Sequence, residues 1–286
     1  MIDVAEECAI RRLIVDVLRL ISNAFEKTSR LQSRAMNQHS LTYELYTLAF
    51  QNPAKDVSML VDAFTKQLKL CPVVLREDFW GSFANCREWI NSHPQNVAIG
   101  IDIDPEFAGF AHATRLMMPK DESDRFSHIL GDVLDVALPS AHIVAALNSS
   151  FCVFKKRPQF KDYLRKCFQS FDATGMMALE VYCGADSQNI GCDEIEIGGH
   201  TAIWEQAKYD PTTSYCLNYI HFRLEDGTLI ERAFEYDWRL WSPAECVDLL
   251  EEVGFEDICT VNKSRTEGGS QVDTSQTLFI LGFKRN

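Results

Sequence analysis

Residues 72–182 alternate short apolar runs with longer segments of helical character, and this alternation constrains the fold more than any other feature of the chain. Each run ends in polar or charged residues. Continuous apolar runs joined by helices are typical of parallel strands covered on both faces. The pattern predicts an open α/β sheet, Rossmann-like and doubly wound, with right-handed crossovers. The five runs are 72–77, 97–102, 127–132, 141–148 and 175–182.

The pattern changes after the fifth run. Residues 194–240 hold three β-branched and aromatic stretches of alternating polarity, separated by the turn signals Asp210-Pro211 and Asp226-Gly227. Such stretches predict three antiparallel strands. We therefore expect an antiparallel insertion after the fifth strand, a lid over residues 186–241.

The chain then returns to the α/β pattern. Ser242-Pro243 predicts the start of a helix that ends at Gly254, because serine and proline begin helices and glycine ends them. Residues 255–261 and 277–283 predict two last strands. The resulting sheet is mostly parallel and seven-stranded, flanked by helices, within a domain of residues 71–286.

Residues 1–70 predict an N-terminal helical cap. Apolar residues recur there at spacings of three and four, which is typical of an amphipathic helix. Such helices cover a sheet edge, join two copies of the chain or close over a ligand. The first stripe also predicts a homodimer through these helices, and it consists of Ile10, Ile14, Val17, Ile21 and Phe25.

Composition narrows the function classes. Twenty-eight Lys and Arg against 41 Asp and Glu give a net charge of −13, which argues against a nucleic-acid partner. No apolar run is long enough to predict a membrane span. The 10 cysteines form no C-x-x-C pair and no zinc-ligand spacing, so we expect reduced thiols, a cytoplasmic location and no metal.

The carboxyl ends of the strands hold the candidate site, because open parallel sheets bind ligands there. Asp102 ends the second run, 25 positions after Glu77, close to the roughly 20 residues typical of a ribose-binding acid. Asp132 can accept a hydrogen bond from an adenine amino group. Glu77 and Asp78 with a single glycine, Gly81, argue against a pyrophosphate and favour a nucleoside that carries a positive charge, such as S-adenosylmethionine (SAM).

Helix capping is the alternative role for each strand-end aspartate. Asp104-Pro105 fits an N-cap and a first helical residue. Asp102 lies just before that cap, which favours a ligand. For Asp132 both interpretations stay open.

Four strand ends, taken in order, resemble those of class I SAM-dependent methyltransferases. They read Val74-Leu-Arg-Glu-Asp-Phe-Trp-Gly-Ser-Phe, Ala98-Ile-Gly-Ile-Asp-Ile-Asp-Pro-Glu, Gly131-Asp-Val-Leu-Asp-Val and Val144-Ala-Ala-Leu-Asn-Ser-Ser-Phe-Cys-Val-Phe. More narrowly, the first is similar to a bacterial subgroup whose first turn reads Glu-Asp-Phe-Cys-Gly-Thr-Gly. Tyr-Asp-Trp-Arg-Leu-Trp at 236–241 resembles the same subgroup.

The resemblance implies SAM as cofactor and assigns its contacts. Glu77 would hold the methionine amine directly or through water, Asp102 the ribose hydroxyls, and Asn148 the methionyl end. Ile103, Asp132 and Val133 would meet the adenine, whereas Phe79 and Gly81 would form the first turn. Ser149 would face the substrate.

Two residues depart from the subgroup. Trp80 precedes the turn glycine, and Phe83 stands where the loop has its third glycine. Bulk at that position is expected to crowd the ligand, which would reshape the loop or weaken cofactor binding.

The predicted lid supplies the other candidates. His221 and Arg223 share one strand face by period two, which is either the pocket wall or the solvent face. His200 follows Gly198-Gly199 in a predicted loop. We expect His200 and His221 as catalytic candidates, and as substrate-binding candidates Tyr182, Trp204, Arg223, Trp238 and Arg239.

These observations predict an enzyme that moves a methyl group from SAM to oxygen or nitrogen of a small molecule or peptide. The alternative is a non-catalytic or repurposed ligand-binding module, which Trp80 and Phe83 favour. The charge disfavours an RNA methyltransferase. The missing G-x-G-x-x-G disfavours a dinucleotide oxidoreductase.

Overall fold

The computed structural model describes residues 41–263 and 275–285, and the account below concerns the compact unit formed by residues 45–286 within those bounds. The predicted helical stripe between Ile10 and Phe25 lies outside the described residues. No helix in the described ranges is both long and apolar enough to cross a membrane.

Seven α-helices, two short 3-10 helices (Ser150–Val153 and Ala185–Gln188) and eleven strands make up the described elements. The helices are α1 (41–50), α2 (Pro53–Leu68), α3 (Ala84–Ser92), α4 (Pro105–Met117), α5 (Lys120–Ser123), α6 (Arg157–Ser170) and α7 (Pro243–Val253). The strands are β1 (Val74–Asp78), β2 (Val97–Asp102), β3 (Phe126–Leu130), β4 (Ile143–Ala146), β5 (Gly175–Gly184), β6 (Gly191–Ile197), β7 (His200–Asp210), β8 (Tyr215–Arg223), β9 (Leu229–Arg239), β10 (Glu256–Asn262) and β11 (Ser275–Lys284).

The main sheet has seven strands in the order β10-β11-β5-β4-β1-β2-β3. Strands β1 to β5 pair in parallel, whereas β11 runs antiparallel to both β5 and β10. The strand order reverses between β1 and β4, which is where an open α/β sheet binds ligands. The predicted mostly parallel seven-stranded sheet is confirmed.

Each face of this sheet is covered by its own apolar core. Helices α2 and α3 pack on one face around Leu60, Phe64 and Trp89, all without exposed surface. Helices α6 and α7 pack on the other face around Phe160 and Leu249. Burial on both faces explains why the central strand β4, Ile143–Ala146, is apolar throughout rather than alternating.

Local signals set the helix ends where the sequence predicts them. Ser242 and Glu245 form a reciprocal capping box at the start of α7, and Gly254 ends that helix in a left-handed conformation. Asp104 caps α4 by accepting a hydrogen bond from the Glu106 amide, with Pro105 as the first helical residue.

The insertion after β5 is a four-stranded antiparallel sheet, β6-β7-β8-β9, which we call the lid sheet. The prediction of three strands was wrong by one, because β6 was not recognised. Most of its residues are exposed and three are acidic, Asp193, Glu194 and Glu196, so it lacks the alternating polarity of a half-buried strand. Strand β6 lies at the edge of the lid sheet, where burial does not select for apolar residues.

Candidate functional site

The loop that follows β1 has three residues with positive φ angles, although only one of them is a glycine. Phe79, Gly81 and Phe83 all adopt positive φ angles, of 60°, 50° and 69°. Positive φ at a bulky residue is uncommon and costs on the order of 1–3 kcal/mol. The surrounding structure must therefore hold both phenylalanines in place.

Packing on both faces of the sheet holds them. The Phe79 ring contacts Phe154 and Tyr163 on the α6 side, with ring centroids 5.8 and 5.6 Å away. The Phe83 ring contacts Phe126 on the α3 side at 4.1 Å, and it is 1% exposed. The Phe83 ring points into the core rather than toward the strand ends, so the ring itself does not occupy the predicted site. The predicted effect of Phe83 on cofactor binding stays a prediction.

Trp80 lies in the same core as Phe83. Its ring is 2% exposed and contacts Phe83, Phe126 and His128. A Cβ atom on Gly100 would lie 2.7 Å from the Trp80 ring, so the absence of a side chain at Gly100 makes room for the indole. The Trp80 ring therefore does not block the carboxyl ends of the strands. The large side chains of Trp80 and Phe83, which favoured a repurposed module, are both directed away from those ends.

Glu77, at the end of β1, is buried and points toward α3. Its carboxylate accepts hydrogen bonds from Asn85 Nδ2 at 2.8 Å and from the Cys86 thiol at 3.2 Å. Burial raises the pKa of Glu77 to about 7. These hydrogen bonds direct the carboxylate toward α3 and do not place it against a ligand amine. The predicted contact between Glu77 and the methionine amine therefore stays a prediction.

Asp102 connects the end of β2 to the β1 loop. Its Oδ2 accepts a hydrogen bond from the Gly81 amide at 3.2 Å, and its Oδ1 accepts one from the Asp104 amide at 3.0 Å. Burial raises the pKa of this carboxyl. The Ile103 amide also interacts with this carboxylate. A carboxylate has about four acceptor positions, so Asp102 can still accept a further hydrogen bond.

The apolar side chain beside Asp102 is open. Ile103 is 65% exposed, although it directly follows a buried strand. A Cβ atom on Gly81 would meet nothing closer than the Phe107 ring at 3.8 Å, so the backbone there is also accessible. An exposed isoleucine next to a carboxylate offers one apolar and one polar surface to the same ligand.

The two residues predicted to meet the adenine after β3, Asp132 and Val133, have different environments. Asp132 Oδ1 accepts a hydrogen bond from the Leu134 amide at 2.8 Å, as in an Asx turn. Val133 is 3% exposed and lies in the core. Its side chain is therefore turned away from any ligand at the strand end, which leaves only its backbone for the predicted adenine contact.

Asn148 and Ser149, after β4, both have left-handed backbones, with φ angles of 50° and 55°. The Asn148 amide donates to Glu180 Oε2 at 3.0 Å. The Ser149 hydroxyl donates to the Glu180 carbonyl and accepts from the Tyr182 amide, and Ser149 is 3% exposed. Ser149 joins β4 to β5, which leaves little of its side chain for the predicted substrate contact.

Three charged residues that the sequence analysis missed form an ion triad near these ends. Lys263 Nζ lies 2.8 Å from Asp56 Oδ2 and 3.2 Å from Glu180 Oε1, and both carboxylates are buried. Burial raises the pKa of Asp56 and of Glu180. Glu180 is the one charged residue inside the apolar run 175–182, a signal that could have identified it.

The two faces of the lid sheet carry different residues. Trp204 and Trp238 lie on the face that also packs against α1, where Trp204 contacts Phe50 at 6.3 Å. His221 lies on the opposite face, in register with Ile203 rather than Trp204. The alternative left open for His221 and Arg223 resolves to the outer face.

The predicted catalytic histidines are both bound to the lid sheet itself. His221 Nε2 lies 2.9 Å from Glu205 Oε2, and its Nδ1 accepts from the Arg232 amide. His200 begins β7 instead of lying in a loop, and its Nδ1 accepts from the Glu225 amide at 3.3 Å. Neither is brought to the strand ends, so their catalytic role stays a prediction without geometric support.

Two predicted substrate-binding arginines are also engaged elsewhere. Arg223 pairs with Glu194 at 2.7 Å on the exposed edge of the lid sheet. Arg239 pairs with Glu245 at 2.8 Å and lies over the Trp241 ring. The predicted substrate-binding role of both arginines stays a prediction.

Solved structures of known proteins share this fold. A SAM-dependent methyltransferase from Clostridium acetobutylicum superimposes with a TM-score of 0.65 at 11% identity, over 85% of this chain and 97% of its own. This similarity decides the fold. The chain has the class I SAM-dependent methyltransferase fold.

Two further structures with the methyltransferase fold are similar. The sugar N-methyltransferase KedS8 from Streptoalloteichus has a TM-score of 0.60 at 13% identity, over 85% of this chain and 92% of its own. SAM-bound CalS10, an amino pentose methyltransferase from Micromonospora echinaspora, has a TM-score of 0.60 at 13% identity, over 85% and 96%. No protein-family model and no curated protein matches the sequence.

Proposed function

We propose that this protein is a methyltransferase that transfers a methyl group from SAM to nitrogen or oxygen of a small molecule or peptide. The observation that carries the proposal is Asp102 at the end of β2, hydrogen-bonded to the Gly81 amide and followed by an exposed Ile103. A carboxylate at that position of this fold suits a pair of ribose hydroxyls.

The residues present fit the cofactor. The remaining acceptor capacity of Asp102 suits the ribose, the exposed Ile103 is an apolar surface for the adenine, and the open backbone at Gly81 admits a close approach. Burial of the Phe83 ring keeps it out of the predicted site, and this supports a functional cofactor site rather than a repurposed module.

Bound SAM would supply a methyl carbon on a positively charged sulfur, from which the carbon–sulfur bond breaks as the new bond forms. The protein would mainly orient the two reactants and exclude water. Charge placement supports this. Asp56 and Glu180 are buried and share one cation, the half-buried Lys263. The buried Arg76 is paired with Asp78, and the described contacts of Glu77 include no cation. Such a region favours a cationic ligand.

Other partners receive less support. The net charge of −13 disfavours nucleic acid. The nine cysteines among the described residues are all free, which supports our proposal of a reducing, cytoplasmic environment. Assembly through the N-terminal helices stays part of the proposal.

Isothermal titration with SAM and with its product S-adenosylhomocysteine (SAH) tests the function. We expect both to bind the wild type, and Asp102→Asn to weaken binding roughly 10- to 100-fold through lost charged hydrogen bonds. Asp104→Asn is the matched control, because asparagine caps a helix as well as aspartate does. Absence of binding at millimolar SAM and SAH, or equal affinity in the Asp102 variant, would refute the proposal.

A further inference from the structure

Aromatic side chains from three separate parts of the chain meet above the strand ends. Tyr46 and Phe50 come from α1, Tyr182 from the end of β5, and Trp204 and Tyr236 from the lid sheet. Trp204 contacts Phe50 at 6.3 Å, Tyr182 at 6.4 Å and Tyr236 at 6.0 Å between ring centroids. We call these five residues the aromatic cluster. Every one of them is half-buried, so each ring keeps some exposed surface.

The phenols of the cluster face a desolvated and negative environment. The hydroxyls of Tyr46 and Tyr236 hydrogen-bond to each other, and burial raises the pKa of both well above the ordinary range. The carboxylates of Glu180 and Glu77 add to the rise at Tyr46. The five rings keep exposed surface beside these shielded phenols, and we call the surface that the rings line the recess.

The lid sheet presents no cation to this recess. Trp204 is in register with Ile220 and Phe234, and Gln206 is in register with Asn218 and Tyr236. These two rows are uncharged. At the edge, Asp193 pairs with Trp204 and therefore adds a carboxylate to the same face. Arg223 and His221 lie on the opposite face.

The remaining cation near the strand ends is already engaged. Lys263 contacts the carboxylates of both Asp56 and Glu180. An acceptor that carried a carboxylate would thus meet aromatic rings and acids with no free described cation to pair it. An acceptor that carries a positive charge would meet ring faces, which attract cations, in a field of the favourable sign.

We propose, on the basis of the methyltransferase function above, that the acceptor is an amine held as its ammonium form against Trp204 and Tyr236. Before transfer the ammonium group releases one proton to solvent. The nitrogen lone pair then forms the bond to the methyl carbon while the carbon–sulfur bond breaks with both electrons to sulfur. The products are the N-methylated ammonium ion and SAH, so charge and atoms balance.

Three probes of one shape separate the effect of charge from that of size. They are choline, tert-butylethanol (3,3-dimethylbutan-1-ol, in which carbon replaces the choline nitrogen) and the carboxylate anion tert-butylacetate (3,3-dimethylbutanoate). Each is titrated into wild-type protein saturated with SAH. We expect choline to bind roughly 2- to 30-fold more tightly than tert-butylethanol, the range that a cation over an aromatic face gives. We expect tert-butylacetate to bind most weakly.

Two variants locate the effect on the lid sheet. Trp204→Leu keeps an apolar side chain and removes the ring face, so it should abolish the preference for choline. Tyr219→Leu is the matched control, because Tyr219 lies on the same sheet but contacts Arg232 on the other face. It should keep the preference.

The outcomes distinguish this inference from the proposed function. If SAH itself does not bind, the methyltransferase function fails. If SAH binds but choline binds no better than tert-butylethanol, or no probe binds, the amine assignment alone is overturned. A choline preference that survives Trp204→Leu would overturn it as well.

Discussion

Glu180 Oε2 accepts the hydrogen bond of the Asn148 amide at 3.0 Å while its other oxygen faces Lys263. One carboxylate therefore holds the left-handed backbone after β4 and also joins β5 to the N-terminal end of α2 through the ion triad. Asn148 is a predicted cofactor contact, so the position of that contact depends on charges more than 30 residues away in the chain.

Removal of the central cation should destabilise the fold. Lys263→Met leaves the buried carboxyl groups of Asp56 and Glu180 without the cation that they share, and breaking a buried ion pair costs about 3–5 kcal/mol of unfolding free energy. Urea unfolding followed by circular dichroism measures the change in unfolding free energy. The control is Lys161→Met, whose partner Glu252 is exposed, and it should leave the midpoint unchanged. Equal midpoints for both variants would mean that the triad contributes nothing.

Glu77 should make stability depend on pH. Its pKa is about 7 in the folded protein and near 4.5 in the unfolded chain, so the folded state favours the protonated form. The stabilisation is complete below pH 4.5 and is lost as the pH rises through 7. Glu77→Gln should remove that dependence, which amounts to on the order of 3 kcal/mol. Urea unfolding of both proteins at pH 5 and pH 8 provides the comparison, and parallel pH profiles would contradict it.

Phe83→Ala should reduce stability without improving ligand binding. The ring is 1% exposed and packs on Trp80 and Phe126, and deletion of a buried phenylalanine ring costs about 3–5 kcal/mol. SAH affinity, measured by titration of the folded variant, should stay within about twofold of wild type. A tighter complex with unchanged stability would show instead that Phe83 obstructs the site.

Tyr163→Phe tests the charged network beneath β1. Asp78 is buried, pairs with Arg76 at 2.9 Å and accepts a hydrogen bond from the Tyr163 hydroxyl at 2.8 Å. Loss of a hydrogen bond to a buried charge costs about 1.5–3 kcal/mol. Tyr215→Phe, at an exposed tyrosine, should change the unfolding free energy by less than about 0.5 kcal/mol. A similar small change in both variants would exclude a contribution from the network.

The fold followed from the sequence because its strands are buried on both faces. The apolar runs and the helix caps at Asp104 and Ser242 depend on local chemistry, and local chemistry is visible in a sequence. The edge strand β6 was missed because exposure removes the polarity pattern that identifies a strand.

The site was less accessible to prediction. Period two places His221 and Arg223 on one face but does not say which face points inward. The direction of the Phe83 ring depends on a positive φ angle that a bulky residue rarely adopts, so the sequence suggested an obstruction where the structure has a core contact. The ion triad joins three distant segments, and only the isolated charge of Glu180 hinted at it.

Phe79 and Phe83 hold the β1 loop from opposite faces of the sheet. The Phe79 ring packs in the core on the α6 side, and the Phe83 ring packs in the core on the α3 side. Displacing the loop would require both cores to open at once. A loop of three glycines would have more conformational freedom, and ordering such a loop on binding would cost part of the binding free energy. In this protein the two packed phenylalanines fix the conformation of the β1 loop before a ligand binds.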